Sequence, residues 1–272
     1  MLYSKLMKKV SIVSFNMLGV PIAPTRMAKR FIQIAAEFER VSPDIICLQE
    51  VHTVGQLRNL VKLLPSYPYV IFRNLFNGPK GGLIIFSKIP ASSSDYSVLS
   101  RSKETKGKMI MSRILRKGIL SCTFEGIPLT IINTQLMANL DADWTPRNRF
   151  MPILAVQIAE VAKCVKHARK SAENILVVGD FNFPKTTDLY TQFRTKTQLD
   201  DAFSDYTSST QHIWFLKGWK KPARIDYMFY HGTSMRIENP HHMFTKKYQI
   251  TKRHKGFVSD HIALGLDALF PQ

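Results

Sequence analysis

Residues 175–182 read Ile-Leu-Val-Val-Gly-Asp-Phe-Asn, an apolar run that ends in the polar side chains of Asp180 and Asn182. A short apolar run rich in β-branched residues predicts a buried β-strand, and the residues that follow it lie where the strand meets solvent. Residues 258–261, Val-Ser-Asp-His, repeat this pattern near the C-terminus. Polar groups at the end of a buried strand cost desolvation, which proteins tolerate mainly where the charge has a use. Both stretches therefore predict a chemically active site at the rim of a sheet.

The N-terminal part of the chain combines a strand, a polar residue, a helix and a second strand. Residues 10–15 alternate apolar and polar side chains, which predicts a strand ending at Asn16. A helix capped by Thr25 is expected next, because apolar residues then recur at helical spacing. This stripe consists of Met27, Phe31, Ile34, Ala35, Phe38 and Val41. Residues 44–48 predict a buried strand that delivers Glu50.

The middle of the chain repeats this order. Residues 118–124 and 127–133 predict a hairpin whose second strand leads to Gln135. A helix follows, and its apolar face consists of Met151, Leu154, Ile158, Val161 or Ala162, and Val165. The next strand, residues 174–178, delivers Asp180, which makes Asp180 the counterpart of Glu50. Further strands are predicted at 69–73, 82–87, 225–230 and 262–266, with turns at 78–81 and 90–94.

This pattern predicts an α/β protein in which two sheets pack face to face with helices outside. The 272 residues suit a single domain over 1–272, and 45% hydrophobic residues are enough for a large core. No apolar run approaches the roughly 18 residues that cross a bilayer, and the N-terminus lacks the apolar segment of a signal peptide. Cys47, Cys122 and Cys164 suit reduced core thiols better than disulfides or a metal site. We therefore expect a cytoplasmic location.

The net charge of +18 predicts an anionic partner, either nucleic acid or an anionic lipid surface. Basic residues of 217–224 and 246–255 run directly into two of the predicted site segments. A third basic cluster, within 101–117, is interpreted as a solvated face. The aromatic residues Trp214, Phe215 and Trp219 lie between lysines and suit base stacking, insertion into a lipid interface or packing in the core.

Polar residues at the predicted strand ends form one candidate set, and such residues gather at one rim in folds of this kind. The set consists of Asn16, Glu50, Gln135, Asp180, Asn182, Asp226, Asp260 and His261. Mg²⁺ takes one or two carboxylates together with water and substrate phosphate. Glu50 with Asn16 or Asp260 is therefore sufficient for Mg²⁺, with Mn²⁺ as the alternative ion.

The remaining members of the set supply groups for phosphoester hydrolysis. Asp180 is predicted to orient and deprotonate the attacking water, and Asn182 to hold that water or a phosphate oxygen. His261, oriented by Asp226, is predicted to donate a hydrogen bond to the phosphate as its charge grows. Asp226 also shares a strand face with Arg224, so a simple salt bridge between these two residues is a rival interpretation.

Five short motifs occur in the same order as in the endonuclease/exonuclease/phosphatase superfamily, whose fold is that of deoxyribonuclease I. They are Asn16, Leu48-Gln49-Glu50, Gly179-Asp180-Phe181-Asn182, Arg224-Ile225-Asp226-Tyr227 and Ser259-Asp260-His261. The chain resembles this superfamily from Val10 to Leu266. The resemblance implies a four-layer α/β/β/α sandwich of two mixed sheets with outer helices. It also implies Mg²⁺ dependence and the roles given above for Glu50, Asp180, Asn182, Asp226 and His261.

Two features depart from the resemblance. Many members carry His in the catalytic position that Gln135 takes here, and an amide donates hydrogen bonds without carrying charge or a proton. We expect an altered rate or substrate preference. The branch that cuts at abasic sites has an Asp and a Lys where this chain has Leu18 and Val51-His52. This chain is therefore at least as similar to the sphingomyelinase-like and general phosphodiesterase branches as to the branch that cuts at abasic sites.

Three functions are open from the sequence. The first is Mg²⁺-dependent hydrolysis of nucleic acid, which the charge favours. The second applies the same chemistry to a phospholipid head group at an anionic or choline lipid surface, with Trp214, Phe215 and Trp219 as the anchor. The third is a basic nucleic-acid-binding module with weak or no catalysis, suggested by Gln135. The sequence leaves open the substrate, endo or exo action, the number of metals and the oligomeric state.

Overall fold

The structure, a computed structural model, describes residues 7–20, 25–100, 116–212 and 222–271. Two six-stranded sheets form its centre. In hydrogen-bonding order, the first contains β13 (Arg236–Met243), β16 (Ala263–Pro271), β1 (Met7–Asn16), β2 (Ile45–Gln49), β6 (Ile84–Ser87) and β3 (Tyr69–Ile71). The second contains β11 (Asp200–Asp201), β12 (Asp226–Gly232), β10 (Asn174–Asp180), β9 (Ile127–Gln135), β8 (Gly118–Phe124) and β7 (Ala91–Val98).

Smaller elements complete the described part of the chain. Two hairpins lie outside the main sheets, namely β4 (Asn74–Leu75) with β5 (Gly78–Pro79), and β14 (Tyr248–Thr251) with β15 (His254–Gly256). A short 3₁₀ turn spans Lys80–Gly82. The α-helices are α1 (Met27–Val41), α2 (Val54–Leu63), α3 (Met151–Ala168) and α4 (Asp188–Thr197).

Successive side chains of a strand point to opposite faces of its sheet. The strands therefore form one core between the two sheets and one core on each outer face. In β10, Leu176 and Val178 face the other sheet, while Ile175 and Val177 pack beneath α3 and α4. Because both faces of β10 are buried, its sequence is a continuous apolar run rather than an alternating one. In the first sheet, Phe15 and its neighbours pack against α1 in the same way. The result is the four-layer α/β/β/α sandwich of two mixed sheets that the sequence predicts.

Both sheets contain one parallel pair of strands, and these pairs position the site. β1 runs parallel to β2, with Asn16 opposite Gln49. β9 runs parallel to β10, with Gln135 opposite Asp180. Since parallel strands end at the same edge of a sheet, an amide and a carboxylate emerge together from each pair.

Two local predictions are wrong. Thr25 does not cap α1, because the helix begins after Arg26, which has a left-handed backbone, and the Thr25 hydroxyl accepts instead from Arg30. Residues 90–94 are not a turn but largely belong to β7, an edge strand that pairs with β8. The exposed serines of β7 carry no apolar signal, because the strand is held by backbone pairing. The single domain over 1–272 stays a prediction.

No helix in the described ranges has both the length and the apolar character needed to cross a membrane.

Candidate active site

The site lies where the parallel pairs of the two sheets end, and two amide side chains connect its carboxylates. Asn16 Nδ2 donates to Glu50 Oε1 and to Asp180 Oδ2, at 3.1 Å each. Gln135 Nε2 donates to the same two oxygens, at 2.8 Å to Glu50 and 3.2 Å to Asp180. Glu50 follows a strand of the first sheet and Asp180 ends one of the second. The two amides therefore hold one carboxylate from each sheet in a single cluster.

His261 completes this cluster and is fixed by Asp226. Its Nδ1 lies 2.9 Å from Asp226 Oδ2, while its Nε2 lies 3.9 Å from Asp180 Oδ2 and 4.0 Å from Asp260 Oδ1. With Nδ1 committed to Asp226, the ring presents Nε2 to the carboxylates of the cluster.

Two hydroxyl groups hold the backbone that carries this pair. Ser259 Oγ donates to the Asn16 carbonyl at 2.7 Å and accepts from the His261 N–H at 3.1 Å. Thr210 Oγ1 accepts from the Asp226 N–H at 3.1 Å. The imidazole and its carboxylate partner are therefore anchored from separate segments of the chain.

Charge in the site favours a protonated imidazole. Burial opposes the charged form of His261, but attraction to Asp226, Asp260 and Asp180 outweighs burial and raises its pKa well above the ordinary value. Burial raises the pKa of Asp226 to about 6, against the attraction of His261. These shifts favour the protonated imidazole, whose Nε2 lies 3.4 Å from Asn16 Nδ2.

The pKa of Glu50 shifts in the opposite direction to that of His261. Burial opposes its ionisation, but His52, Lys117 and His261 together outweigh burial and lower its pKa. Its Oε2 is buried and has no hydrogen-bond partner among the described residues, and Gln135 Oε1 is in the same state. A buried ionised oxygen without a partner is costly unless it binds a cation.

These oxygen donors fit a hard divalent cation such as Mg²⁺ or Mn²⁺. Asp180, Asp226 and His261 also have ligand atoms within 4.8 Å of one another. Asp226 and His261 also share a hydrogen bond of 2.9 Å between Oδ2 and Nδ1. Glu50 Oε2, in contrast, has no hydrogen-bond partner among the described residues.

Two residues of the site have a strained backbone. Glu50 has φ 63° and Asn182 has φ 56°, in the left-handed region that non-glycine residues seldom adopt. The Asn182 N–H donates to Asp180 Oδ1 at 3.0 Å, and its Nδ2 donates to the Leu136 carbonyl at 3.1 Å. Such strain persists where the surroundings enforce it, and it is concentrated at functional sites.

The structure brings all eight predicted residues together at one rim: Asn16, Glu50, Gln135, Asp180, Asn182, Asp226, Asp260 and His261. The rival salt bridge between Arg224 and Asp226 does not form. Arg224 pairs instead with Asp201 at 2.6 Å, in a buried ion pair at the other side of β12. Asp226 is therefore left to His261.

Sequence reasoning missed a buried arginine beside the site. Arg30 is 2% exposed, and its acceptors among the described residues are neutral oxygens, which include the carbonyls of Met17, Leu18 and Val258. Burial lowers its pKa to about 10, against attraction to Asp260 and Glu50. Arg30 thus ties the segment after Asn16 to the segment before Asp260. In the sequence, the signal for this role was the position of Arg30, a charged residue on the face of α1 predicted to be apolar.

Lys117 is the second such residue, because it belongs to the basic cluster that was predicted to be a solvated face and is instead partly buried. Its Nζ donates to the Leu136 carbonyl at 2.7 Å, next to Gln135, and it is attracted to Asp180 and Glu50. Its position directly before a predicted strand that pairs with the strand of Gln135 was the only signal. The predicted aromatic anchor Trp214, Phe215 and Trp219, with Lys217, Lys220 and Lys221, lies outside the described residues. So does most of the basic cluster, from Arg101 to Arg113.

This fold, with acids, amides and an imidazole gathered at the rim between its sheets, defines a class: the protein is a metal-dependent phosphoric ester hydrolase. The sequence profile described as "Endonuclease/Exonuclease/phosphatase family" matches residues 13–261. The chain belongs to this family. No curated protein sequence matches it.

Solved structures share the fold at low sequence identity. The beta toxin 275-280 structure from Staphylococcus aureus has a TM-score of 0.72 at 18% identity, covering 94% of this chain and 99% of that one. Sphingomyelinase C from Streptomyces griseocarneus has 0.72 at 14% identity, covering 96% and 99%. TDP2 from D. rerio, humanized by 14 mutations, has 0.68 at 16% identity, covering 96% and 98%.

Proposed function

We propose that this chain hydrolyses phosphodiester bonds, with Mg²⁺ as its metal and nucleic acid as its substrate. The observation that carries the proposal is the amide-linked pair of Glu50 and Asp180 beside His261. One uncommitted carboxylate oxygen, one candidate base and one proton-bearing imidazole are the groups that phosphoester hydrolysis needs.

Glu50 would hold the metal, with Asn16 and Asp260 completing the protein ligands. A bound Mg²⁺ would neutralise a non-bridging phosphate oxygen and the charge growing on the leaving oxygen. Asn16 contacts Glu50 through its Nδ2, and its Oδ1, the atom that would bind the metal, accepts from the Leu18 N–H at 3.0 Å. Asp260 lies next to His261 in the chain. Few protein ligands suit Mg²⁺, which keeps waters and takes phosphate oxygens.

The other residues act on water and phosphate. Asp180 takes the proton of the attacking water, and Asn182 keeps Asp180 in position through its backbone N–H. His261, held by Asp226, donates from Nε2 to the phosphate as negative charge develops there. Gln135 contributes a neutral donor at the same place.

The net charge supports a polyanionic substrate. A charge of +18 over 272 residues concentrates nucleic acid around the protein and speeds its association. Lys246, Lys247, Lys252, Arg253 and Lys255 precede the segment of Asp260 and His261, which places positive charge near the proposed site in sequence.

A phospholipid head group is the second candidate, favoured by an exposed aromatic side chain on a hairpin that contacts the segment after Glu50. Phe76, at the tip of the β4–β5 hairpin, is fully exposed. The hairpin is attached close to Glu50, since the Val54 N–H donates to the Asn77 carbonyl at 3.0 Å. An exposed aromatic beside a phosphoesterase site suits a lipid interface. The shared fold with sphingomyelinase C, at a TM-score of 0.72, is compatible with this candidate.

A substrate panel with and without chelator tests the proposal. Single-stranded and duplex DNA, abasic duplex, RNA, sphingomyelin liposomes and phosphoinositide would each be incubated with Mg²⁺ or with EDTA. We expect Mg²⁺-dependent cleavage of DNA or RNA, reduced about 10²–10⁴-fold in Asp180→Asn and His261→Ala. Asp200→Asn, which changes an exposed carboxylate paired with Arg194, is the matched control and should retain activity.

The outcomes separate the candidates. Turnover of lipid alone would replace the nucleic-acid proposal with the phospholipid one, and loss of that turnover in Phe76→Ala would place the lipid contact at the β4–β5 hairpin. Binding of nucleic acid without hydrolysis of any ester would leave a binding module on a hydrolase fold.

A further inference from the structure

Lys117 is a partly buried cation beside the site that none of the roles above uses. It directly precedes β8, and β8 pairs with β9 so that Ile119 lies opposite Thr134. Continuing this register places Lys117 opposite Leu136, one residue beyond Gln135. The hydrogen bond of 2.7 Å from Nζ to the Leu136 carbonyl fixes the ammonium there.

The Leu136 carbonyl accepts hydrogen bonds from two side chains, those of Lys117 and Asn182. Asn182 Nδ2 donates to the same oxygen at 3.1 Å, and the Leu136 N–H donates to the Asp180 carbonyl at 2.9 Å. Two donor nitrogens that share one acceptor oxygen are neighbours. The ammonium of Lys117 therefore lies beside the turn that carries Asp180 and Asn182.

The environment of Lys117 leaves part of its hydrogen-bonding capacity free. Burial lowers its pKa, against attraction to Asp180 and Glu50. An ammonium has three donors, and within the described ranges the Leu136 carbonyl is the one acceptor in hydrogen-bond contact with it. A partly buried ammonium with one neutral acceptor is still desolvated in part, and a neutral side chain would hold a loop at lower desolvation cost.

We propose that Lys117 binds substrate, donating from its free N–H groups to a non-bridging oxygen of the phosphate. This inference rests on the proposed function and adds a residue to it. Lysine binds phosphate as a compact point charge. The position beside Asn182 and Asp180 places that charge next to the predicted attacking water, where the phosphate becomes more negative during the reaction.

The decisive variant is Lys117→Met, with Lys8→Met as its matched control. Both changes remove one positive charge and one hydrogen bond from Nζ to a backbone carbonyl, since Lys8 donates to the Gly126 carbonyl at 2.9 Å. Lys8 lies near the start of β1, at the opposite end of that strand from Asn16. Lys117→Met should fold, because the Leu136 carbonyl keeps the Asn182 donor. Lys117→Arg provides a second variant that keeps the charge.

Two readouts are measured in the full chain with Mg²⁺ present. For hydrolysis of bis(p-nitrophenyl) phosphate, we expect kcat to fall about 10²–10³-fold in Lys117→Met. For inorganic phosphate, followed by titration calorimetry, we expect the dissociation constant to rise about tenfold or more. Lys117→Arg should retain part of the kcat and part of the phosphate affinity. Lys8→Met should match the unaltered protein in both measurements.

A third readout separates substrate binding from support of the metal site. Lys117→Met removes a positive charge near Glu50, so Mn²⁺ affinity should stay the same or increase. Weaker Mn²⁺ binding would overturn the inference, because Lys117 would then be organising the metal site. Equal kcat and equal phosphate affinity in Lys117→Met and Lys8→Met would overturn it as well. If the unaltered protein hydrolyses no phosphodiester, the proposed function fails, and the phosphate titration alone then decides whether Lys117 binds phosphate.

Discussion

Glu50 and Asp180 carry like charges in a buried cluster, and their neighbours explain how the protein tolerates them. Like charges in a shared site normally raise one pKa strongly. Here both side chains accept from the amides of Asn16 and Gln135, and nearby cationic groups keep the pKa of Glu50 low. The cluster therefore retains negative charge that a divalent cation can neutralise.

The first prediction concerns Glu50→Gln. Removing the ionised oxygen should weaken Mn²⁺ binding by at least about tenfold, since even outer-shell changes at metal sites cost 10–100-fold. Titration calorimetry against Mn²⁺ measures this. Glu39→Gln is the control, because Glu39 accepts from Ser66 at the surface. Unchanged Mn²⁺ affinity in Glu50→Gln would place the metal elsewhere.

The second prediction concerns Asp226→Asn. His261 would lose the carboxylate that orients its ring and stabilises its charge, so kcat should fall roughly 10²–10⁴-fold while the protein stays folded. Steady-state kinetics and circular dichroism check the two parts. A kcat within about threefold of the unaltered protein would mean that His261 needs no carboxylate partner.

At the scale of residues, sequence reasoning identified the acids and amides because each follows an apolar strand. Asn16, Glu50 and Asp180 carry that local signal. Arg30 and Lys117 do not, because their roles depend on contacts that local sequence does not encode. Arg30 reaches the Val258 carbonyl across 228 positions in the chain, and no spacing rule predicts such a contact.

The contact between β9 and β10 sets the distance between Gln135 and Asp180, and Gly179 makes it possible. Gly179 has φ 138°, and a Cβ at this position would lie 1.8 Å from the Thr134 carbonyl oxygen. The backbone of β10 fixes the position of this Cβ, and the oxygen belongs to the backbone of β9, so neither atom can move without disturbing the sheet.

The third prediction follows from this contact. Gly179→Ala should lower the free energy of unfolding by about 3 kcal/mol or more, through overpacking and backbone strain. Urea unfolding measures the change. Gly55→Ala in α2 is the matched control, because the nearest atom to its Cβ is 3.8 Å away. That control should leave stability unchanged or raise it by up to about 1 kcal/mol. Equal stability of the two variants would contradict the account of this contact.

The edge strand β13 contacts the segment that follows β11 through a histidine, and this contact gives the fourth prediction. His242 stacks on Phe203 with ring centroids 5.7 Å apart, and burial together with Arg224 and His241 lowers its pKa. The unfolded chain therefore binds a proton at a higher pH than the folded chain does. Stability should fall as pH decreases through the ordinary histidine range.

Thermal unfolding at pH 7.5 and 5.5 tests this sign. The difference in stability between the two pH values should be smaller in His242→Phe than in the unaltered protein. Replacing the exposed His254 should leave this difference unchanged. An equal loss in His242→Phe would assign the acid sensitivity to other groups.

At the scale of elements, the sequence predicted the buried strands, the long helices and the edge strand β3, but not the edge strands β7 and β13. β10 and α3 carry strong apolar patterns because both are buried on broad faces. β7 and β13 are edge strands with mostly exposed or half-exposed residues, so pairing rather than side-chain pattern defines them. α2 was not predicted, although Thr53 and Gln56 form a capping box at its start. The helix begins only four residues after Glu50.

The whole molecule combines a deep acidic cluster with a strong overall positive charge. Two sheets each deliver one parallel pair to the rim, so the site requires both halves of the sandwich. The charge of +18 acts over longer distances and would draw a polyanion toward that rim.

The fifth prediction is a steep salt dependence of nucleic-acid binding. Binding of a fluorescent single-stranded DNA by Asp180→Asn should weaken at least about 10²-fold between 50 and 200 mM salt, because Lys and Arg contacts release counterions. Fluorescence anisotropy gives the dissociation constants. Binding that hardly changes over this salt range would remove the electrostatic argument for nucleic acid and favour a substrate with little net charge.

The most direct measurement of the central claim is the rate of bis(p-nitrophenyl) phosphate hydrolysis during a Mg²⁺ titration, after EDTA treatment, for the unaltered protein and for Glu50→Gln. We predict no turnover without added metal, a saturable recovery with Mg²⁺, and a recovery in Glu50→Gln that requires at least about tenfold more Mg²⁺. Turnover that persists in EDTA, or titration curves that superimpose for the two proteins, would contradict a metal held by Glu50 at the rim between the sheets.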